Sequence, residues 1–195
     1  MVESILIVLI VLAAIIAVLA AIVAMQPSEY RVARSATIAA PSAEVFPQVN
    51  DLRKLNTWSP WLKPDPQAKT TYDGPSSGTG AVFAWDGNNQ VGQGKMTIIE
   101  SRPHDLIRIK LEFLRPFAST ADTEFTFKTE GDRTVVTWAM SGKKIFMSKL
   151  FGLFMSMDKM IGGNFEKGLA SIKSIVENRQ DFAQKVSKRD YAKAL

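Results

Sequence analysis

A run of 21 apolar residues, from Ile5 to Met25, constrains this chain more than any other feature. The run contains no glycine, proline or charged residue, so nothing in it interrupts a helix. At about 1.5 Å per residue, such a helix is long enough to cross a hydrocarbon core of about 30 Å. We therefore predict a transmembrane helix within residues 1–25 that anchors the chain in a plasma or inner membrane.

A cleavable signal peptide is the alternative interpretation of the same run. Signal peptides combine a basic start, an apolar stretch of about 7 to 15 residues and a cleavage site of small residues. Here no lysine or arginine precedes the run, and the Ile-Val-Ala sequence at 22–24 is a poor small-x-small site. The sequence therefore favours a retained anchor.

Two further patterns concern the orientation and the association of this helix. Lysine and arginine are absent before Arg31, whereas Arg31 and Arg34 follow the run closely. The positive-inside rule therefore predicts that the soluble domain lies in the cytoplasm. Alanines at positions 13, 17 and 21 (Ala13, Ala17, Ala21) would let two such helices approach closely and form a homodimer. The alternative is that alanine simply favours a helix in an apolar run.

Composition limits the chemistry of the remaining chain. There are no cysteines and one histidine, His104, which excludes disulfides, thiolate metal sites and multi-histidine metal sites. The formal net charge of +5 favours anionic partners, but the charges are spread along the chain, so we predict no nucleic-acid partner. The sequence contains no nucleophile elbow, phosphate loop or metal-ligand spacing. We predict no cofactor, no metal and no catalytic residue.

Beyond the apolar run, the sequence predicts a strand and two short helices, then a run of strands and a final helix. The stretch "EYRVARSATIAA" alternates as a half-buried strand, and helix signals follow in "APSAEVFPQVN" and "DLRKLN". Four stretches then alternate as strands: "AVFAWDG", "KMTIIES", "LIRIKLEF" and "TEFTFKTEGDRTVVTWAMSG". The last of them is predicted to form a hairpin that turns at Glu130-Gly131-Asp132.

The last element is an amphipathic helix in "FEKGLASIKSIVEN", whose apolar stripe needs a sheet to cover. We predict that this helix starts near Asn164, after a turn or hinge at Gly162-Gly163. Consecutive antiparallel strands with one long helix at the end indicate an α+β fold.

The stretch "SATIAAPSAEVFPQVNDLRKLNTWSPW" and the later "VTWAMSG", in this order of elements, resemble the START-like superfamily of helix-grip domains, often labelled SRPBCC or polyketide cyclase/dehydrase. The resemblance implies a curved antiparallel sheet wrapped around the long C-terminal helix, with a cavity between them. It divides the chain into a transmembrane helix at 1–25, a short linker at 26–29, a helix-grip domain at 30–178, and a polar tail or helix extension at 179–195.

Apolar residues in the inward strand phase, on the helix stripe and in the "NTWSPW" turn are the candidates for lining this cavity. An ordinary core would use the same residue types, so both interpretations stay open. The Met- and Phe-rich stretch 143–160, interleaved with lysines, either contacts the membrane, gates the cavity or packs as a short helix over the sheet end. The predicted ligand-binding residues are Trp58, Trp61, Phe83, Trp85, Ile109, Leu111, Phe113, Phe125, Trp138, Met140, Phe154 and Phe165.

Three functions from different classes fit these patterns. The leading prediction is a non-catalytic, membrane-anchored module that binds a hydrophobic small molecule or lipid. The first alternative is an enzyme of the polyketide cyclase/dehydrase type, and the second is a chaperone-like or stress-related interaction protein. A buried polar pair inside the cavity would favour the enzyme, an empty apolar cavity the binding module, and a filled cavity the interaction protein.

Overall fold

A computed structural model of the chain describes residues 2–144, 149 and 156–194, with side chains as far as Phe182 apart from that of Met157. Its elements follow the predicted order of one apolar helix, a strand, two short helices, a run of strands and a long closing helix. They are α1 (Val2–Met25), β1 (Glu29–Ile38), α2 (Ser42–Asn50), α3 (Leu52–Trp58), β2 (Lys69–Asp73), β3 (Val82–Asp86), β4 (Gln93–Arg102), β5 (Leu106–Arg115), β6 (Ser119–Glu130), β7 (Arg133–Lys143) and α4 (Met157–Ala194).

The seven strands form one antiparallel sheet in the order β1-β7-β6-β5-β4-β3-β2. Strands β2 to β7 follow one another as a meander, whereas β1 lies at the opposite edge from β2 and pairs with β7. Helices α2 and α3 occupy the connection from β1 to β2 across the sheet. The predicted hairpin is confirmed, because Glu130 pairs with Arg133 at the β6–β7 turn.

The inner face of the sheet packs against the stripe of α4. Phe165, Leu169, Ile172 and Val176 are all buried, as their helical spacing predicted. This arrangement of an antiparallel sheet and a long C-terminal helix confirms the α+β helix-grip fold. Burying this stripe against the strands is the main hydrophobic contribution that holds α4 in place.

The predicted start of the last helix is wrong. Helix α4 begins at Met157, so Gly162 and Gly163 lie inside it and form neither a turn nor a hinge at its start. The guanidinium of Arg34 from β1 lies directly against Gly162, where a Cβ atom would collide with it. Gly162 therefore allows β1 and α4 to approach closely and does not break the helix.

The strand β2 was not predicted. Its sequence, Lys-Thr-Thr-Tyr-Asp, contains one aromatic residue, Tyr72, and all its other residues are exposed. An edge strand of this kind lacks the apolar alternation on which strand prediction depends. Pairing with β3, from Lys69 opposite Asp86 to Asp73 opposite Val82, is what defines it.

Candidate functional site

A cavity of about 270 Å³ lies between the inner face of the sheet, the end of α3 and the first turns of α4. Its wall comes from β1, β3, β4, β5 and β7, from the segment after α3 and from the β3–β4 loop. The lining residues are Tyr30, Leu55, Asn56, Ser59, Trp61, Leu62, Phe83, Trp85, Gln90, Val91, Met96, Leu111, Phe113, Met140, Met160 and Ile161.

The floor of the cavity is apolar and buried, whereas its rim reaches solvent. Phe83, Leu111 and Met140 in the floor are at most 7% exposed. Each points to the inner face of the sheet, which it shares with the residues two positions away along its own strand. At the rim, Trp61 is 38% exposed and Met160 is 51% exposed. An apolar ligand can therefore enter past the rim and lose contact with water at the floor.

Six lining residues carry polar side-chain groups: Tyr30, Asn56, Ser59 and Gln90, and the indole N–H groups of Trp61 and Trp85. The Asn56 amide donates to the Tyr72 hydroxyl at 3.3 Å. Burial raises the pKa of Tyr30, so its phenol stays neutral at physiological pH. Among the lining residues that the structure describes, none is Asp, Glu, His, Lys or Arg. The lining thus offers a few hydrogen-bonding groups in an apolar surface, which suits recognition of a largely apolar molecule.

The structure separates the predicted ligand-binding residues into two groups. Six of them line the cavity: Trp61, Phe83, Trp85, Leu111, Phe113 and Met140. Five are buried in the core outside the cavity: Trp58, Ile109, Phe125, Trp138 and Phe165. Phe154 lies outside the described residues, as does most of the Met- and Phe-rich stretch. Ligand binding by any of these residues stays a prediction.

An aromatic cluster under α4 explains why the second group is not exposed to the cavity. The Trp138 ring stacks on Phe165 at 4.0 Å and on Phe125 at 4.8 Å between ring centroids. Trp58 meets Trp138 edge-on, and its indole N–H donates to the Gln48 carbonyl at 2.8 Å. Gly168 of α4 faces both indoles, so the helix approaches closely and fills this part of the inner face. Trp58 ends α3 as a core residue, and Trp61 stands at the cavity rim.

Ten lining residues were not among the predicted set. Eight of them come from α3, the segment that follows it, the β3–β4 loop and the start of α4, where the alternation of a strand does not apply. Two of them had a signal in the sequence. Met96 shares its strand phase with Ile98, and Met160 belongs to the Met- and Phe-rich stretch. For the other eight lining residues, contact with the cavity depends on how the loops fold around the open end of the sheet.

A charged cluster fixes the start of α4 against β1. The Arg34 guanidinium donates to both carboxylate oxygens of Asp158, at 2.8 and 3.0 Å, and to Glu166 at 2.7 Å. These contacts join β1 to the turns of α4 that contribute Met160 and Ile161 to the cavity wall. The geometry at Asp158 is bidentate, which makes the contact directional as well as attractive.

Acid is expected to loosen the start of α4. The hydrogen bonds from Arg34 hold the pKa of Asp158 below its usual value. Stabilisation by a carboxylate with a lowered pKa is present at neutral pH and is lost as the pH falls through its folded-state pKa. We therefore expect Asp158→Asn to raise amide hydrogen exchange in residues 157–161 at neutral pH, and acidification of the wild type to produce the same change.

Asp181→Asn is the matched control, because Asp181 is an exposed carboxylate further along the same helix. Exchange in residues 157–161 should be unchanged in this variant. If Asp158→Asn also exchanged like the wild type, the cluster would not hold the helix start.

The fold and the cavity together define a helix-grip domain with an apolar chamber. The chain belongs to the family described as "Polyketide cyclase / dehydrase and lipid transport", whose profile matches residues 29–177. The match begins at β1 and ends within α4, so α1 lies outside it. No curated protein sequence matches the chain.

Solved structures of low sequence identity share this fold. A protein from Chromobacterium violaceum is 15% identical, with a TM-score of 0.53, over 77% of this chain and 99% of that one. Major latex-like protein 151 from Panax ginseng is 12% identical, with a TM-score of 0.54, over 77% of this chain and 99% of that one. The di-domain ARO/CYC protein BexL of the BE-7585A biosynthetic pathway is 14% identical, with a TM-score of 0.55, over 81% of this chain and 53% of that one.

Proposed function

We propose that this protein is a membrane-anchored module that binds a hydrophobic small molecule or lipid and does not catalyse a reaction on it. The observation that carries the proposal is the 270 Å³ cavity with a buried apolar floor and an exposed aromatic rim. The family description, which includes lipid transport, agrees with a ligand of this kind.

The described lining has a single titratable group, which argues for binding over catalysis. A cyclase or dehydrase must move protons, and side chains that do so efficiently have a pKa near the working pH. The neutral phenol of Tyr30 is the only ionisable group among the described lining residues, and burial moves its pKa further from neutrality. His104 lies elsewhere, exposed in the β4–β5 turn beside Phe46.

The size of the cavity limits the ligand. Cavities that bind small molecules usually measure about 300 to 1,000 Å³, so a volume of about 270 Å³ is just below this range. It suits one small apolar molecule, or part of one acyl chain whose polar end stays at the rim. The exposed rim residues Trp61 and Met160 would then contact the part of the ligand that leaves the cavity.

The anchor is proposed from the surface of α1. This is the one helix in the described part of the chain that is long and apolar enough to span a membrane. Large side chains along it, from Ile5 to Ile22, are exposed, so the domain does not cover them. A bilayer would remove this surface from water. From the basic residues that follow α1 we infer a cytoplasmic domain, as the positive-inside rule predicts.

Filling the cavity should displace the ligand. Met96 lines the cavity from β4, opposite Phe83 and Leu111 on the neighbouring strands, and is partly buried. We expect Met96→Trp to occupy the space of the ligand and to reduce co-purified lipid several-fold. Lipid extraction with mass spectrometry on the full-length protein measures this, together with the melting temperature.

Ile99→Trp is the matched control, since Ile99 lies on the same strand and is 47% exposed. It adds an indole outside the cavity and should leave the bound lipid unchanged. Wild-type protein that carries no lipid and binds no added apolar probe would refute the proposed function. Bound ligand that persists in Met96→Trp would place the binding site elsewhere.

A further inference from the structure

We propose that a basic surface at the end of α1 binds anionic lipid headgroups and holds the cavity rim against the membrane. We define the juxtamembrane collar as the basic residues at the start of β1, at and after the end of β7, and at the start of α4: Arg31, Lys143, Lys144, Lys149 and Lys159. The proposal rests on the membrane anchor of the proposed function, and it adds a partner of defined chemistry, the anionic leaflet from which α1 emerges.

The linker between α1 and β1 is hydrogen-bonded to the domain. The backbone N–H of Lys144 donates to the Ser28 carbonyl at 2.8 Å. The Lys149 ammonium donates to the Gln26 carbonyl at 3.1 Å and to the Ser28 hydroxyl at 3.3 Å. The end of β7 is therefore attached to the residues that follow the membrane helix.

Chain length keeps the collar near the headgroups. Five residue steps separate Met25 from Tyr30, which span at most about 18 Å when fully extended. Tyr30 is itself a wall residue of the cavity, and Lys143 lies opposite Glu29 on β7. The collar and the cavity wall are thus both held within a short distance of the point where α1 ends.

The charge of this end of the domain complements an anionic surface. The carboxylates near the collar are those of Glu29, beside Lys143, and Asp122, beside Arg31. Asp158 and Glu166 both bind Arg34, which is not counted in the collar. With Arg34 included, six cations face the four carboxylates named here, so this end of the described domain has a net positive charge. Each lysine or arginine near an anionic membrane surface strengthens binding by roughly fivefold.

Docking of the collar would determine where the cavity opens. Met160, next to Lys159 in the sequence, is 51% exposed at the rim, and Met25 at the end of α1 is 86% exposed. With the lysines among the headgroups, these apolar side chains would lie at the depth of the acyl chains' upper segments. A ligand could then pass between the leaflet and the cavity without crossing bulk water.

The test uses full-length protein in lipid nanodiscs and takes advantage of the absence of native cysteines. A Met160→Cys variant carries one environment-sensitive fluorophore, and nitroxide-labelled lipids quench it on contact. We expect strong quenching in discs that contain phosphatidylserine, and weak quenching in discs of phosphatidylcholine alone. High salt should reduce the quenching, because it screens exposed charges.

Neutralising the collar separates the charge effect from simple proximity. On the Met160→Cys background, Lys143→Gln, Lys144→Gln and Lys159→Gln together should lower the docked-to-undocked ratio on the order of a hundredfold in phosphatidylserine discs. The control removes three cations from the opposite end of the sheet: Arg102→Gln, Lys128→Gln and Arg133→Gln. Quenching should then remain at the wild-type level.

Two outcomes would overturn the proposal. Quenching that does not depend on phosphatidylserine would show that the collar does not recognise anionic headgroups, and so would quenching that the collar triple variant retains. Failure of the anchor is distinguishable, because such protein would not enter the discs. Failure of ligand binding is seen separately as absent co-purified lipid. A fluorophore at Asp132→Cys, in the exposed β6–β7 turn at the opposite end of the sheet from Lys143, should be unquenched throughout.

Discussion

Replacing Trp138 with alanine is expected to destabilise the domain by about 3 to 5 kcal/mol, the cost of removing a large aromatic side chain from a packed core. The Trp138 side chain is 5% exposed and stacks between Phe125 and Phe165. Its indole N–H donates to the Thr123 hydroxyl at 2.9 Å, and that hydroxyl donates in turn to the Ala139 carbonyl. The loss should appear as a fall in melting temperature on the order of 10 °C.

Trp61→Ala is the matched control for this prediction. Trp61 is 38% exposed at the cavity rim, so its removal should change stability little and should weaken retention of an apolar ligand. Melting and lipid content measured on both variants distinguish a core tryptophan from a rim tryptophan. A Trp138→Ala protein that melts like the wild type would contradict the packing described for the aromatic cluster.

Removal of α1 is expected to change the protein from membrane-bound to soluble. Full-length protein should fractionate with membranes and resist alkaline extraction, whereas a chain that begins at Ser28 should remain in the supernatant. In a full-length variant, Leu12→Arg places a charge near the middle of the helix, at a cost of about 2.5 to 3.5 kcal/mol for membrane insertion. Val2→Arg is the control, because Val2 lies at the helix end.

Sidedness is tested on the same full-length protein. A reporter fused after Leu195 should behave as a cytoplasmic one, because Arg31 and Arg34 follow α1 and residues 1–25 contain no lysine or arginine. Digestion of the domain by protease added to intact cells would contradict this orientation. Release of a processed, soluble form would show instead that the apolar run is a signal peptide.

Local pattern was sufficient to predict most of the architecture. The apolar run, the two-residue alternation of β3 to β7 and the stripe of α4 are each visible in one short continuous stretch of the sequence. The strand alternation and the helix stripe each reflect a period that the backbone imposes on side chains that must be buried, whereas the apolar run is recognised by its length. The edge strand β2 was missed because its exposed polar residues carry no such period.

The sequence also predicts which strand side chains point to the inner face of the sheet. It does not predict what each of these side chains contacts there. Leu111 and Trp138 both lie in the inward phase of their strands, yet one lines the cavity and the other lies in the aromatic cluster. The difference depends on where α4 crosses the sheet. That crossing is set by Gly168 against the tryptophans and by Gly162 against Arg34, contacts between residues far apart in the chain.

The sequence by itself determined the long apolar helix, because its apolar run is uninterrupted. It also determined the strand faces and the stripe of α4, because burial of one face imposes a short repeat on each of them. The tertiary structure alone decided which part of the inner face stays open as a cavity. It also brought the rim together from α3, the β3–β4 loop and the start of α4. The physical reason is that a cavity is space that packing leaves unfilled, and this depends on how close distant elements can approach.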